Sequence, residues 1–555
     1  MTDELVFLPL GGSGEIGMNL NLYGFGPPGA RKWMMIDCGV TFAGDDLPGI
    51  DLITPDIDYL LDEIDEGAEF LGLVLTHGHE DHIGAVAHLW PAFRGPVYAT
   101  PFTAELVRRK FVDVGIIDPP MVIKQLGARF DLGPFDLEYV TLTHSIPEPN
   151  AVAIRTPLGN ILHTGDFKID PQPVIGAKTD HSRLEEIGAE GVLAMMCDST
   201  NVFSEGRSGS ESEIADNLAR IIAEQKSRVA VTTFASNVSR LVSVCRAAMA
   251  ADRSVCLLGR SMLRMIDVAA DVGILPDGVS FVQPSDAGYL PEENILYLCT
   301  GSQGEPRAAL ARIARDDHPE LELADGDTVI FSSKIIPGNE RPIFEMMNDL
   351  SSAGVHVITE GDAFVHVSGH PCRDELKDMY QMVRPQIAVP VHGEARHLAE
   401  HGAYAQSLGT PQAIVPQNGD LIRLAPGPAA KIDEVPAGRL YMDGKILLSH
   451  GDRALRERRR LSEEGIIVVS VAIDGTGKIK DRAPLFMKGV PSEDEDGDEL
   501  LEVLDEAIAA GLEAMPKPRR QDDREVELQI RRAIRSELTP RWGKRSDIFV
   551  SILRV

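Results

Sequence analysis

Thr76-His77-Gly78-His79-Glu80-Asp81-His82 follows the apolar run Leu71 to Leu75 and leads into the helical pattern Ile83-Gly84-Ala85-Val86-Ala87-His88-Leu89. Four ligand-type side chains leave one tight turn. Imidazole and carboxylate are the donors that zinc or a similar divalent ion takes, and a strand-end loop can aim alternate histidines at one ion while Asp81 and His82 face a second. As a structural accident, H-x-H-x-D-H at the end of a strand is improbable, and it is the most specific motif in the chain.

Outward from this turn, the first third reads as short apolar or β-branched runs cut by Gly, Pro and Asp: Leu5 to Leu10, Asn19 to Tyr23, Trp33 to Ile36. Between about Ser210 and Ala353 helical and strand patterns alternate, as in Ile214 to Gln225 then Val229 to Thr233, and Val238 to Ala250 then Ser254 to Leu258, which predicts a separate α/β unit. The Pro- and Ala-rich stretch Ala425 to Arg439 has linker composition. After it come the apolar run Ile466 to Ile473, helical segments over Glu499 to Met515 and Asp522 to Leu538, and a strand over Asp547 to Val555. The expected organisation is a core in two pieces, 1–208 and 355–424, an inserted unit 209–354, a linker 425–445 and a small α+β domain 446–555.

The 555 residues exceed what a single core usually organises. With 43% hydrophobic and 25% charged residues the composition is that of a folded globular protein. The start Met1-Thr2-Asp3-Glu4 is acidic where a secretory signal is basic, and no apolar run approaches the roughly 18 to 20 residues of a membrane span, so a cytoplasmic protein without membrane contact is expected. Six cysteines without a C-x-x-C pair fit neither a disulfide framework nor a zinc ribbon. Lys and Arg number 54 against 85 Asp and Glu, a net charge of −31, so any phosphate-binding groove must be a local basic patch. The densest basic cluster, Arg453, Arg456, Arg458, Arg459 and Arg460, reads either as an RNA contact or as a solvated helix face, and the acidic run Glu493 to Glu499 as a solvated loop or helix start.

Gly12-Ser13-Gly14-Glu15-Ile16-Gly17 matches G-x-G-x-x-G after a strand, with Asp37 twenty positions on. A dinucleotide loop must open a helix whose N-terminus holds the pyrophosphate, whereas Met18 to Tyr23 alternates like a strand, so this motif is a decoy.

H-x-H-x-D-H after an apolar strand resembles the signature of the metallo-β-lactamase superfamily, and further stretches narrow the resemblance. Cys197-Asp198-Ser199-Thr200-Asn201, His366-Val367-Ser368-Gly369-His370 and Pro390-Val391-His392-Gly393-Glu394 resemble the three β-CASP motifs. Thr233 to Asn237, Gly259 to Met262, Thr300 to Pro306 and Ser332 to Glu340 look like the ribonuclease J family, and the likeness covers nearly the whole chain. The resemblance implies an αββα sandwich with an inserted β-CASP α/β domain. It further implies two divalent ions per subunit, zinc first with manganese or magnesium as alternatives: His77, His79 and His144 on one, Asp81, His82 and His392 on the other, Asp166 bridging, and Asp37 bracing the ligand loop. His88 and His163 are read as packing or surface residues. Asp81, Asp198 and His370 are the implied catalytic residues, His370 donating a proton to the leaving 3′-oxygen with its tautomer fixed by Asp198. A phosphate pocket is implied over His366, Val367, Ser368, Gly369 and His370, completed by Ser236 and Asn237.

The implied activity is rRNA processing and mRNA decay by 5′→3′ exonuclease cleavage of single-stranded 5′-monophosphate RNA, alongside endonuclease cleavage. Implied partners are a second copy, as homodimer or homotetramer, and other RNA-decay proteins. Ser239 stands where the family pattern has a histidine, and Pro371-Cys372 where a small residue follows His370; neither is an expected ligand. Rival readings are a small-molecule thioester or lactone hydrolase, which would not need the large insert, a DNA-directed β-CASP nuclease, and a scaffold with a decayed site, which the full ligand set argues against.

Overall fold

The computed structural model describes residues 2–44, 46–275, 278–482 and 484–555. The chain divides into two units, Met1–Thr41 with Thr54–Arg439, and Phe42–Ile53 with Leu440–Val555.

In the first unit two large sheets face each other. One has eight strands in the order Ala430–Glu434, Asp420–Ala425, Glu4–Gly11, Leu20–Gly26, Lys32–Ile36, Glu69–Val74, Val97–Ala99, Met121–Ile123. The other has seven, in the order Arg129–Leu132, Phe135–Thr141, Asn150–Thr156, Gly159–His163, Ala194–Asp198, Ile387–Val391, Gln412–Ala413. Phe7, Tyr23, Met34 and Ile36 from the first meet Leu137, Tyr139, Ile154, Met196 and Val389 from the second. At about 1.5–3 kcal/mol for each fully buried Leu, Ile, Phe or Met side chain, this interlayer core is the main cohesive contribution of the sandwich. On its other face the second sheet packs Leu162 and Met195 against Leu184 of helix His181–Glu190 and Leu376 and Met379 of helix Arg373–Val383. Strands such as Glu4–Gly11 and Ile387–Val391 are covered on both faces, which is why they read as continuous apolar runs and not as alternations.

The insert carries a parallel six-stranded sheet in the order Phe281–Val282, Ser254–Leu258, Ile295–Cys299, Val229–Thr232, Thr328–Phe331, His356–Ile358. Its first helix, Glu211–Glu224, opens on a capping box in which Ser210 and Glu213 satisfy each other's backbone donors.

The second unit is built on strand Ile466–Ile473, whose strict alternation buries Ile467, Val469, Val471 and Ile473 against Leu504, Ile508 and Leu512 of helix Leu500–Ala514 and Ile530 and Ile534 of helix Asp523–Trp542. Strand Asp547–Arg554 pairs with it in parallel along its whole length.

Four expectations need correction. The insert's sheet ends with strand His356–Ile358, past the expected boundary at 354. The stretch 425–445 is mostly strand: Asp420–Ala425 and Ala430–Glu434 form an edge hairpin of the first sheet, and Arg439–Asp443 pairs with Ile446–Ser449. Its linker-like composition reflects exposed edge positions, Ala430–Glu434 being exposed throughout. The C-terminal unit also takes in Phe42–Ile53, and strand Leu52–Pro55 lies beside Arg439–Asp443. The helix expected over Ile83 to Leu89 is two helices, Glu80–Ile83 and Val86–Phe93, because the Ala85 N–H donates to the Cys38 carbonyl while the Asp81 carbonyl accepts from Asn19 N. The six cysteines are unpaired and buried. Among the described residues no helix is long and apolar enough to cross a membrane.

Candidate active site

The site collects at one edge of the two facing sheets, from loops that follow strand carboxyl ends. Asp37 follows Lys32–Ile36, the H-x-H-x-D-H turn follows Glu69–Val74, His144 follows Phe135–Thr141, Asp166 follows Gly159–His163, Asp198 ends Ala194–Asp198 and His392 follows Ile387–Val391. Loops at strand carboxyl ends are held by rigid strands yet open outward, the usual place for ligands in α/β sheets. Asp37 and His392 both adopt positive φ, 61° and 53°, a conformation that L-residues hold only when the surroundings over-determine it.

The seven expected ligands are brought together in two groups, His77, His79, His144 and Asp166, and Asp81, His82, Asp166 and His392, each with its donor atoms within 4.8 Å of one another. In the first, His79 Nδ1 lies 3.1 Å from His77 Nε2 and 3.0 Å from His144 Nε2. In the second, His392 Nε2 is 3.0 Å from Asp81 Oδ2, and His82 Nε2 is 3.2 Å from Asp166 Oδ2. Asp166, common to both, is 2% exposed, and neither of its oxygens has a hydrogen-bond partner. A buried carboxylate left without donors is costly unless a cation takes their place, so five imidazoles and the Asp81 carboxylate gathered around these oxygens fit a pair of divalent ions.

The outer nitrogens are anchored. His82 Nδ1 donates to Asp37 Oδ2 at 2.7 Å, and His144 Nδ1 donates to the Gly369 carbonyl at 2.5 Å. Thr76 donates from both N and Oγ1 to Asp37 at 2.8 Å, so its hydroxyl oxygen is left to accept from His77 Nδ1 at 3.0 Å. His392 Nδ1 pairs with Thr200 Oγ1 at 2.7 Å. Each of these contacts fixes a tautomer that frees Nε2 for a cation. Asp37, fully buried, thereby orients one histidine of each group.

A third group, Asp166, Asp198, His370 and His392, also converges within 4.8 Å. Here His370 Nδ1 donates to Asp198 Oδ2 at 2.8 Å, so these two form an internal acid–base pair. Burial pulls the His370 imidazole downward, and the charge and hydrogen bond of Asp198 outweigh it, leaving the group above the ordinary histidine value.

The turn His366–His370 sits against this edge. A Cβ on Gly369 would lie 2.9 Å from His144 Cε1, so only glycine permits the approach. Ser368 Oγ accepts from Asn201 Nδ2 at 2.6 Å and from His370 N at 3.1 Å, which leaves its own proton available to an acceptor. His366 Nδ1 is buried and unpartnered. Burial first, then the charges of Arg240, Lys334 and Lys168, push the His366 imidazole down to about 3, so it is neutral and cation-flanked. Val367 is buried beneath the turn.

Asn237 has hydrogen-bond partners of its own. It is 4% exposed and caps helix Val238–Ala250, its Oδ1 accepting from Arg240 N and its Nδ2 facing Glu211. Ser236 is half-buried just before that cap. Residues the sequence reading left out of the site are Asn201, which ties the turn to the Asp198 loop, and Lys334, exposed near His366. Both lie in stretches whose family likeness was legible. The glycine-rich loop opens no helix: Ser13–Gly14 pairs with Gly393–Glu394, and the Gly12 carbonyl accepts from His392 N at 2.7 Å. In the basic cluster Arg453, Arg458 and Arg460 are paired with Glu457, Asp443 and Glu464, as on a solvated helix face.

Family models match along most of the chain: the metallo-beta-lactamase superfamily over residues 28–188, the ribonuclease J beta-CASP domain over 226–350, the Zn-dependent metallo-hydrolase RNA specificity domain over 354–416, and the ribonuclease J C-terminal domain over 453–555. Ribonuclease J of Sinorhizobium meliloti is 48% identical over 554 residues, covering 100% of this chain and 98% of that protein. Ribonuclease J of Mycolicibacterium smegmatis is 37% identical, covering 98% and 96%, and that of Thermus thermophilus 38% identical, covering 84% and 82%. A solved structure of a protein of unknown function from Enterococcus faecalis V583 shares the fold at a TM-score of 0.52 and 15% identity, over 76% of this chain and all of that one. With the layered core, the insert and the metal-ligand edge in place, the chain belongs to the ribonuclease J family of metal-dependent ribonucleases.

Proposed function

We propose that His77, His79 and His144 hold one divalent ion, Asp81, His82 and His392 a second, and Asp166 bridges the two, with zinc as the resident metal because an imidazole-rich N/O donor set suits it. The observation that carries this reading is the pair of unpartnered, buried Asp166 oxygens where the two donor groups intersect. Ions held by these residues would supply positive charge to the scissile phosphate and would lower the pKa of a water used as nucleophile. Asp37, Thr76 and the Gly369 carbonyl keep three of the histidines in the ligating tautomer. His370, steadied by Asp198, offers its other nitrogen as proton donor to the leaving 3′-oxygen.

The substrate is single-stranded RNA with a 5′-monophosphate, bound at the His366–His370 turn. The Ser368 hydroxyl proton and the nearby Lys334 ammonium serve the phosphate oxygens, which gives 5′→3′ exonuclease action, while internal cleavage uses the metal edge and His370 without the phosphate contacts of His366 and Ser368. Ser236 completes the pocket, and Asn237 supports it from its helix cap. The enzyme works in the cytoplasm as a homodimer or homotetramer. The sheet row Phe486, Val468, Phe549 in the C-terminal unit, with both phenylalanines at least half exposed, supports association through that unit.

The test is a time course on end-labelled RNA bearing a 5′-monophosphate or a 5′-triphosphate, with metal content measured on the same protein. Faster mononucleotide release from the monophosphate and two zinc equivalents per chain are expected. Equal release from both ends would remove the turn from the mechanism, and full cleavage by chelated protein would remove the ions.

A further inference from the structure

Among the described residues Arg240 is the largest charged side chain that is fully buried, and its guanidinium bonds to Glu211, Ser332 and Val365. Nε and Nη2 donate to the two oxygens of Glu211 at 3.0 Å each, and Nη1 donates to the Ser332 carbonyl at 2.9 Å, to Ser332 Oγ at 2.7 Å and to the Val365 carbonyl at 3.0 Å. Ser332 Oγ in turn donates to the same Val365 carbonyl at 2.7 Å. Glu211 stands where the chain enters the insert and Val365 where it leaves, one residue before His366. One guanidinium therefore ties both crossings together.

Glu375, also fully buried, holds the far end of the turn. Its carboxylate accepts from Cys372 N at 2.9 Å, from Ser208 N at 2.8 Å and Oγ at 2.6 Å, and from Ile169 N at 3.0 Å. Ile169 follows Asp166 by three residues, Ser208 precedes the first crossing, and Cys372 follows His370 by two. The His366–His370 turn is thus pinned just outside each end by a buried charge, one belonging to the insert and one to the sandwich.

We infer that Arg240 is a positioning residue for the 5′-phosphate turn, setting through Val365 and Ser332 how far His366 and Ser368 stand from the metal edge. This rests on the reading of that turn as the 5′-phosphate site. A lysine keeps the charge opposite Glu211 but is a point donor without the planar fork, so it cannot serve Glu211, Ser332 and Val365 together. A displacement of about 1 Å in a positioning group costs up to about a hundredfold in rate.

The experiment uses full-length Arg240→Lys and Ser332→Ala. Mononucleotide release is measured from 5′-monophosphate and 5′-hydroxyl RNA, internal cleavage on a circular RNA that has no 5′ end, and the thermal transition on each protein. The expected result is a fall in the monophosphate-to-hydroxyl ratio by about tenfold to a hundredfold in Arg240→Lys, with a smaller fall in Ser332→Ala and circular RNA cut nearly as by the parent. A lowered thermal transition with the ratio intact would make Arg240 a purely structural residue and overturn the inference. If Arg240→Lys does not fold, Ser332→Ala decides on the same ratio. A parent enzyme whose ratio is already one overturns the reading of the turn, and the inference with it.

Discussion

Asp37→Asn changes one atom in the densest part of the site. Asp37 is fully buried; its Oδ1 accepts from Thr76 N, and its Oδ2 accepts from Thr76 Oγ1 and His82 Nδ1. In the variant the amide oxygen stays with Thr76 N, which has no other acceptor, so the NH2 group replaces Oδ2. Two donors then face two donors. The contacts are restored only if the Thr76 hydroxyl turns to donate to His77 Nδ1 and His82 accepts at Nδ1, which protonates Nε2 on both histidines and removes them as ligands. Keeping the ligating tautomers instead leaves buried donors unsatisfied at roughly 1–3 kcal/mol each. Either route predicts a loss of about 10–100-fold in affinity, the usual cost of losing the partner of a ligating histidine, and one histidine of each group is affected, so both ions weaken together. Calorimetric titration of metal-free parent and variant with zinc measures this directly. Two zinc ions bound with parental affinity would refute the tautomer argument; loss at only the His82 group would break the Thr76 link to His77.

Asp198→Asn should lower kcat for RNA cleavage by about 100-fold or more through His370, with zinc stoichiometry and KM nearly unchanged; a kcat within a few-fold of the parent would free His370 from the proton transfer. Asp170 predicts an acid limb: burial raises its carboxyl, but Lys168, Glu211 N and the Ser210 hydroxyl outweigh that and hold it below the usual range. A depressed folded value contributes stability that is present above the unfolded value of about 3.9 and is lost as pH falls through the folded one. Asp170→Asn should therefore be less stable at neutral pH, with a shallower loss below about pH 4, and an acid slope equal to the parent's in denaturant titrations would contradict the assignment. Truncation after Arg439 removes Leu440–Val555 and leaves Phe42–Ile53, the other part of the same unit, behind, so the shortened chain should become protease-sensitive within 42–53 and lose oligomerisation and activity together; protection of 42–53 and parental sedimentation would count against it.

The metal-ligand turn was legible because its chemistry is local. His77, His79, Asp81 and His82 fall within six consecutive positions, and a strand followed by a ligand-bearing loop needs little from the rest of the chain to be recognised. The layered core was legible for a related reason: strands buried on both faces leave continuous apolar runs, and strand Ile466–Ile473, buried on one face, leaves a strict alternation. Composition misled at 425–445, where exposed edge strands carry the same residues as a linker. It was silent on RNA, because the total charge of −31 averages over the whole chain and does not register a local cation such as Lys334 beside the His366–His370 turn.

By itself, then, the sequence determined the family likeness and pointed to the His and Asp residues that gather at the candidate metal edge, since each is written in short stretches whose spacing survives without knowledge of distant contacts. Tertiary structure alone decided which groups meet and which are already committed. Asp81 and His392 converge across 311 positions, and Arg240 reaches Val365 across 125. Asn237, adjacent to a promising serine, is withdrawn into a helix cap. Phe42–Ile53 belongs with a domain that begins almost four hundred residues later. The reason is physical: a polar side chain binds whatever donor or acceptor its neighbours leave unsatisfied, and for a buried group those neighbours are set by the packing of the whole chain.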